Sequence, residues 1–253
     1  MKEQNERENS LRLSGRNAVL EAFRAGKPFD RLIVEERLSD PALLSLTQEL
    51  KEKGVPVKVV RHERFVQLEG SENAQGVIAY IASYEYSSVD EILRCAAEKG
   101  EDPFLILLDG IEDPHNLGAI IRSAEQAGAH GVVIPKDRSA SLNQTVARTS
   151  AGALNYLPVA RVTNLKRTAE ELKKQGLWIT AADMDGEIMY DADLTGPIAL
   201  VIGNEGKGIS ELMKKTCDRV VSIPAFGKVD SLNASVAAGV LMYEVVRQRR
   251  SHS

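Results

Sequence analysis

The stretch ALVIGNEGKGISELMKKTCDRVVSIPAFGKVDSLNASVAAG, Ala199–Gly239, decides how this chain is read. Two apolar runs, Ile198–Ile202 and Val220–Ile223, flank a short helical insert and read as buried parallel strands. Each passes into a loop crowded with Gly, Asn, Ser and Pro, and each loop leads into a helix. In an open α/β sheet such loops lie beyond the carboxyl ends of the strands, where ligands bind. A third loop of this kind comes earlier, at Asp109–Gly118. The three are expected to converge on one pocket and one reaction centre.

Working outward, Pro103–Asp109 (PFLILLD) is a near-continuous apolar strand of the kind buried on both faces. The helix after it, Leu117–Ala127, carries Leu117, Ile120, Ile121, Ala124 and Ala127 on one stripe and closes at Gly128. Val132–Pro135, Leu157–Val162 and Trp178–Ala182 read as further strands, with helices at Thr145–Ala153 and Leu165–Gln175. The last helix spans about Leu232–Arg249. Roughly six strands alternating with helices predict a largely parallel sheet covered on both faces.

Upstream, a helix is expected over Leu11–Ala25, with strands at Arg31–Glu35, Val57–Val60 and Gly76–Ala82. Helices fall between them at Pro41–Lys53 and Arg61–Leu68. This is a small α/β/α unit over residues 10–83. Arg16, Arg31, Lys58, Arg61 and Arg64 are its positive points, and a solvated face is their plain explanation. Residues 1–9 (MKEQNEREN) read as a disordered tail. Residues 84–102 read as a linker holding one amphipathic helix, Val89–Lys99, with the boundary near Ser88.

The chain has 253 residues, 43% hydrophobic and 27% charged, ordinary for a protein with a real core. Its net charge of −4 counts mildly against a nucleic-acid binder, although a local basic patch is all that such binding needs. No apolar run reaches the length of a membrane span, and the polar N-terminus lacks the apolar core of a secretory signal. Cys95 and Cys217 stand apart, and with four scattered histidines they predict a reduced cytoplasmic protein without a metal site.

The loop chemistry comes from three places. Gly203-Asn204-Glu205-Gly206-Lys207-Gly208 is neither a dinucleotide fingerprint nor a P-loop, since its glycines are wrongly spaced for both. It is either a tight turn or a loop that lets backbone approach a ligand while holding one carboxylate, Glu205. In Asp113-Pro114-His115-Asn116, Asn116 is placed to cap the following helix. Arg122 lies on that helix, off its apolar stripe, as a surface charge or a group reaching the pocket. In Ser231-Leu232-Asn233-Ala234-Ser235, Ser231 is a good cap for the last helix. The slim first turns of that helix, with Ala237, Ala238 and Gly239, allow another backbone close by.

Together and in this order, Asn116 with Arg122, Gly203–Gly208 with Glu205, and Ile223-Pro224…Ser231-Leu232-Asn233 resemble the three signature motifs of the SpoU (TrmH) family of SPOUT methyltransferases. The resemblance covers about residues 103–250. The N-terminal unit, SGRNAVLEAFRAG through AQGVIA, resembles that family's RNA substrate-binding domain, which is related to ribosomal proteins. One departure is Ala74, where many relatives carry His. The two-domain arrangement is most similar to the members that methylate a guanosine 2′-oxygen of 23S rRNA.

The resemblance implies a C-terminal domain, 103–253, with a trefoil-knotted, mostly parallel sheet, against the usual absence of knots. It implies S-adenosylmethionine as cofactor, with Gly203, Ile223 and Leu232 against it. It implies a catalytic set of Asn116, Arg122, Glu205, Ser231 and Asn233, with a direct role for Arg122, either as the base or, since a guanidinium keeps its proton, as the group that grips the adjacent phosphate and stabilises the developing alkoxide. It implies a homodimer through the Leu117 helix and the last helix, and RNA held by Arg16, Arg61, Arg148 and Lys207, with Arg138 nearby. The competing readings are a tRNA ribose 2′-O-methyltransferase, a non-catalytic RNA-binding assembly factor and, more distantly, a nicotinamide oxidoreductase.

Overall fold

Gly15 holds a φ of 90° and starts the first helix abruptly, which decides how the chain opens. In the computed structural model, which describes residues 11–69, 75–81, 84–228 and 231–251, that helix is α1 (Arg16–Arg24). The four residues before Gly15 form a strand, β1 (Leu11–Ser14), and not the first turn of the helix. The left-handed glycine breaks the helical path, and β1 pairs instead with β4 (Val77–Ile81), Leu11 opposite Ile81. The tail 1–9 and Ala74 lie outside the described residues.

The chain divides into two units, one running to Glu85 and taking in Ser141–Gln144, the other holding Tyr86–Ala140 and Thr145–Ser253. In the first, β2 (Phe29–Glu35) leads to α2 (Pro41–Glu52), β3 (Val57–Val60) and α3 (His62–Glu69). The sheet order is β1-β4-β2-β3, antiparallel except for β2 with β3. Both faces are buried. Leu32, Val34, Val77 and Ala79 pack with Val19, Leu43 and Leu46 of α1 and α2. Ile33, Ile78 and Tyr80, on the alternate positions, pack with Phe65 of α3. The expected α/β/α layering follows from these alternations.

In the second unit, α4 (Val89–Lys99) opens with a full capping box between Ser88 and Glu91. Ile92 is fully buried in the unit's core. A Cβ at Gly131 would sit 2.5 Å from Ile92 Cδ1, so α4 lies tight on the sheet. The helix expected in a linker is thus part of this unit's packing. Then come β5 (Phe104–Asp109), α5 (Pro114–Gln126), β6 (Gly131–Pro135), α6 (Gln144–Thr149) and β7 (Val159–Val162). They are followed by α7 (Leu165–Lys174), β8 (Trp178–Ile188), β9 (Ile198–Gly203), α8 (Glu211–Lys214), β10 (Arg219–Ser222) and α9 (Ala234–Ser251).

The six strands are parallel, in the order β10-β8-β9-β5-β6-β7. One face buries α4, α7 and α8 against the sheet. On the other, α9 packs on α5 and β9 through fully buried Leu241, Met242 and Val245. The strand order places the exit of β9 beside that of β5, Gly203 opposite Asp109. At this switch point the chain's two halves leave the sheet in opposite directions, which opens a crevice. Among the described residues no helix is long and apolar enough to cross a membrane.

Candidate active site

The first loop is pinned to the strand beside it. Ser210 N donates to Asp109 Oδ2 (2.9 Å), and Asn204 Nδ2 donates to Gly110 O (3.0 Å). Asn204 and Gly208 exchange backbone hydrogen bonds of 3.1 and 2.7 Å, folding residues 204–208 into a closed knuckle. Gly203 must be glycine here, because a Cβ would lie 2.6 Å from Gly208 O. The Gly-rich spacing that fits no nucleotide motif is therefore the spacing of a loop that doubles back on itself.

That knuckle presents Glu205 to the other two loops. Glu205 Oε1 accepts from Asn116 Nδ2 (2.9 Å), from Ala234 N (3.2 Å) and from Asn233 Nδ2. Asn233 Nδ2 also donates to Asn116 Oδ1 (3.0 Å), closing a triangle of three side chains from three loops. Oε2 of Glu205 accepts no hydrogen bond among the described residues.

The triangle depends on a division of labour the sequence reading reversed. Asn116 was expected to cap its helix, but Pro114 at the first helical position moves the start back, and Asp113 caps by accepting from His115 N (2.9 Å). Asn116 then sits in the first turn, 9% exposed, with its carboxamide released toward Glu205. Ser231 was expected to cap α9, but Asn233 does so, its Oδ1 accepting from Ser235 N (3.0 Å) and Val236 N (3.4 Å). One Asn233 amide thus fixes the helix with its oxygen and the triangle with its nitrogen.

Beside the triangle opens a cavity of about 870 Å³. Of the residues singled out from sequence, Gly203, Glu205, Lys207, Ile223, Ser231, Leu232 and Asn233 line it. Asn116 joins it through Glu205 and Asn233. Arg122 does not line it: its side chain is exposed on α5 and makes no hydrogen bond or ion pair among the described residues. Arg148, on α6, is exposed as well. In the first unit Arg61 is exposed, whereas Arg16 is paired with Asp40 at 2.6 Å. Asp40 also caps α2, accepting from Ala42 N and Leu43 N, and these bonds with that of Arg16 hold its carboxyl below the usual carboxylate range. Arg16 therefore has a structural partner for its Nε. Arg31 lies over the Tyr80 ring, 4.4 Å from its centre.

The cavity wall includes residues that sequence reasoning missed: Asp183, Met184, Val221, Phe226 and Leu241. Asp183 and Met184 lie in the continuation of β8, which runs on to Ile188 well past the expected end at Ala182. Burial raises the Asp183 carboxyl, but hydrogen bonds from Asp185 N and from Lys214 (3.0 Å) outweigh it and hold the pKa below normal. The signal available was Phe226, a large aromatic between Pro and Gly in a loop; its ring is almost wholly exposed.

Comparison with known proteins bears on this geometry. Residues 103–243 match the SpoU rRNA Methylase family, and residues 12–87 match the RNA 2′-O ribose methyltransferase substrate binding family. A Bacillus subtilis (strain 168) protein named putative TrmH family tRNA/rRNA methyltransferase YacO is 45% identical over 236 residues, covering 93% of this chain and 94% of its own. A putative TrmH family tRNA/rRNA methyltransferase of Staphylococcus haemolyticus (strain JCSC1435) is 43% identical over 93% of this chain and 94% of its own. Among solved structures, the SpoU methyltransferase AviRb from Streptomyces viridochromogenes in complex with AdoMet superposes with a TM-score of 0.61 at 29% identity, covering 98% of this chain and 94% of that one. The A. aeolicus TrmH/SpoU tRNA modifying enzyme gives 0.56 at 27% identity, over 64% of this chain and 84% of its own.

Proposed function

The chain belongs to the SpoU family of RNA methyltransferases, and from that premise we propose that it methylates the 2′-oxygen of a guanosine in 23S rRNA, with S-adenosylmethionine as donor. The observation that carries the reading is the Glu205 carboxylate, held by Asn116, Asn233 and Ala234 N at the mouth of the 870 Å³ cavity. It joins all three signature loops at one point.

The cavity fits the cofactor. Its volume lies within the range of small-molecule sites, about 300–1,000 Å³. Ile223, Leu232 and Val221 offer apolar walls for an adenine, while the closed knuckle at Gly203 brings backbone to the ligand. Bound there, S-adenosylmethionine supplies an electrophilic methyl carbon on a sulfonium. In this reading the family's knot forms around the place where the 203–208 loop bonds to the start of α9, through Glu205 with Asn233 and Ala234.

What the protein must add is control of a weakly acidic hydroxyl. Aligning it contributes several kcal/mol (roughly 7–11 at the limit). Glu205, with Oε2 still open, and Ser231 supply polar groups to orient the ribose, while Asn233 holds Glu205 in place. Arg122 remains a guanidinium throughout; it grips the neighbouring phosphate and stabilises the negative charge that develops on the 2′-oxygen as the hydroxyl proton passes to water and the oxygen takes the methyl group from sulfur. Since Arg122 does not reach the cavity of its own chain, this role requires a second copy. The exposed Val236 and Tyr243 on α9, each about half exposed, give the dimer an apolar face beside α5. Arg61, Arg148 and Lys207, exposed and without ion pairs among the described residues, supply charge for RNA, and binding weakens as salt rises. The substrate-binding unit favours rRNA over tRNA, since the A. aeolicus tRNA modifying enzyme matches only 64% of this chain. Two free cysteines suit the reducing cytoplasm.

Methyl transfer from labelled S-adenosylmethionine to unmodified 23S rRNA, followed by mapping of 2′-O-methyl positions, tests the proposal. Labelling of tRNA alone, or of a base, overturns it. Mixing Arg122→Ala and Glu205→Ala chains tests the dimer: each alone is inactive, and the mixture regains about a quarter of normal activity, because half the dimers hold one intact site. No recovery would confine Arg122 to its own chain.

A further inference from the structure

The first unit has a cavity of its own, about 280 Å³, between the end of β2, the start of α2, α3 and the entry to β4. Its volume falls just below the range of drug-sized ligands, about 300–1,000 Å³, and suits a single flat ring system. Phe65, Leu38 and Val66 form apolar walls.

Its polar groups are arranged. Glu35 ends β2 with a side chain only 18% exposed, and His62 Nδ1 meets its Oε1 at 3.0 Å, which fixes the carboxylate. Oε2 accepts no hydrogen bond among the described residues. Beside it Gly76 has a φ of +76°, and a Cβ there would lie 3.6 Å from Oε2 and 3.3 Å from Leu38 Cδ1. A Cβ there would press on Leu38 and stand in ordinary contact with the carboxylate, so the glycine leaves the space beside Oε2 open. Gln75, left-handed at a φ of 50°, is held by Arg16 N donating to its Oε1 (3.1 Å), and its Nε2 donates to nothing among the described residues. A non-glycine residue keeps such a backbone only where its surroundings impose it, and such positions cluster at ligand clamps. Arg37 stands exposed on the lining with no partner among the described residues.

An open carboxylate oxygen, an amide donor, a guanidinium and apolar walls make a recognisable set. We propose that this cavity reads an unpaired guanine of the RNA substrate, Glu35 accepting from guanine N1–H and N2–H and Gln75 or Arg37 donating to O6. Guanine alone places two adjacent donors beside an acceptor on its Watson–Crick edge. Adenine sets its N1 acceptor against the carboxylate and is repelled. The edge is free only in single-stranded RNA, where proteins read sequence. The proposal rests on the RNA-methyltransferase reading for its ligand and adds a base-specific contact in the substrate-binding unit.

The test uses the full-length protein without S-adenosylmethionine and three labelled pentamers, UUGUU, UUIUU and UUAUU, where I is inosine, followed by fluorescence anisotropy. UUGUU should bind about tenfold tighter than UUAUU, the discrimination of one good bidentate base contact. UUIUU, lacking the 2-amino group, should fall between. Glu35→Gln should abolish the preference while leaving UUAUU binding equal or tighter, since it removes a negative charge from the path of a polyanion. A purely structural Glu35–His62 pair would not change base preference. Equal binding of all three pentamers, or a preference that survives Glu35→Gln, overturns the proposal. If that variant fails to fold, the inosine series on the unaltered protein decides. A protein that prefers guanine but never methylates RNA would refute the function and spare the pocket; one that methylates without the preference would refute the pocket alone.

Discussion

Replacing Glu205 by alanine removes the acceptor at which three loops meet, and the expected damage can be worked from the contacts. Oε1 takes hydrogen bonds from Asn116 (2.9 Å), Ala234 N (3.2 Å) and Asn233. A buried hydrogen bond to a charged group contributes about 1.5–3 kcal/mol, but this loop is exposed, so roughly 1 kcal/mol apiece is the safer figure. The three sum to about 3 kcal/mol, or about a hundredfold in the opening equilibrium of the site. The two units need not unfold together, so global melting is the wrong readout. Amide exchange at Ala234 is the right one, because Glu205 Oε1 is that amide's acceptor. Exchange there should accelerate about a hundredfold, with a parallel loss of cofactor affinity, while amides of β5 and β6 keep their protection. Glu205→Gln, which can keep an oxygen in place, should recover part of the effect. An acceleration below about twofold in Glu205→Ala would show that the loops hold together without the triangle.

Two further predictions concern groups away from the cavity. His130 is 3% exposed, and burial pushes its pKa below the ordinary value of 6.5, opposed by Glu101 at 3.1 Å. Its Nδ1 accepts from Phe104 N at the start of β5 (3.1 Å), which needs the neutral ring. A pKa lower folded than unfolded means that its contribution is intact above 6.5 and is lost as pH falls through the folded value. A proton NMR titration of the ring should therefore show its midpoint under 6.5, and one at or above 6.5 would contradict the burial argument. Cys217 donates to Met213 O, and burial, aided by the Asp218 charge, pushes its thiol up to about 12. Iodoacetamide at pH 8 should therefore label exposed Cys95 and spare Cys217 until the protein is denatured, as read by mass spectrometry. Equal labelling of both in the native protein would refute this.

The parallel sheet was legible because its strands are short apolar runs such as FLILLD and IALVIG, bounded by loops that no helix tolerates. The errors came where two local signals competed within a turn of each other. At Leu11–Ser14 alternating apolar residues were merged into the helix that follows, although Ser14-Gly15 carried the break. At both functional helices the wrong polar residue was chosen as cap, and the choice matters chemically. As a cap Asn116 would spend its oxygen on its own helix; freed from that, its Oδ1 takes the Asn233 amide while its Nδ2 reaches Glu205, whereas Asn233 caps with its oxygen and still donates with its nitrogen. Pro114 settles the point, since proline belongs at the first helical position and makes Asp113 the cap. What no local rule yields is that Asn116 and Glu205, 89 residues apart, share a hydrogen bond. That contact follows from strand order: β9 lies next to β5, so their exits must touch. Nothing in the spacing of either loop encodes that adjacency; the rule that loops gather beyond the carboxyl ends of an open α/β sheet gave a shared pocket, and the resemblance of three motifs to one family gave the residues that meet in it. The same limit explains the Glu35 cavity, whose polar groups come from four separate elements. A carboxylate at a strand end is unremarkable in sequence. It becomes a candidate base reader only when the fold sets a glycine with no side chain beside its free oxygen and an amide with unspent donors on the same wall.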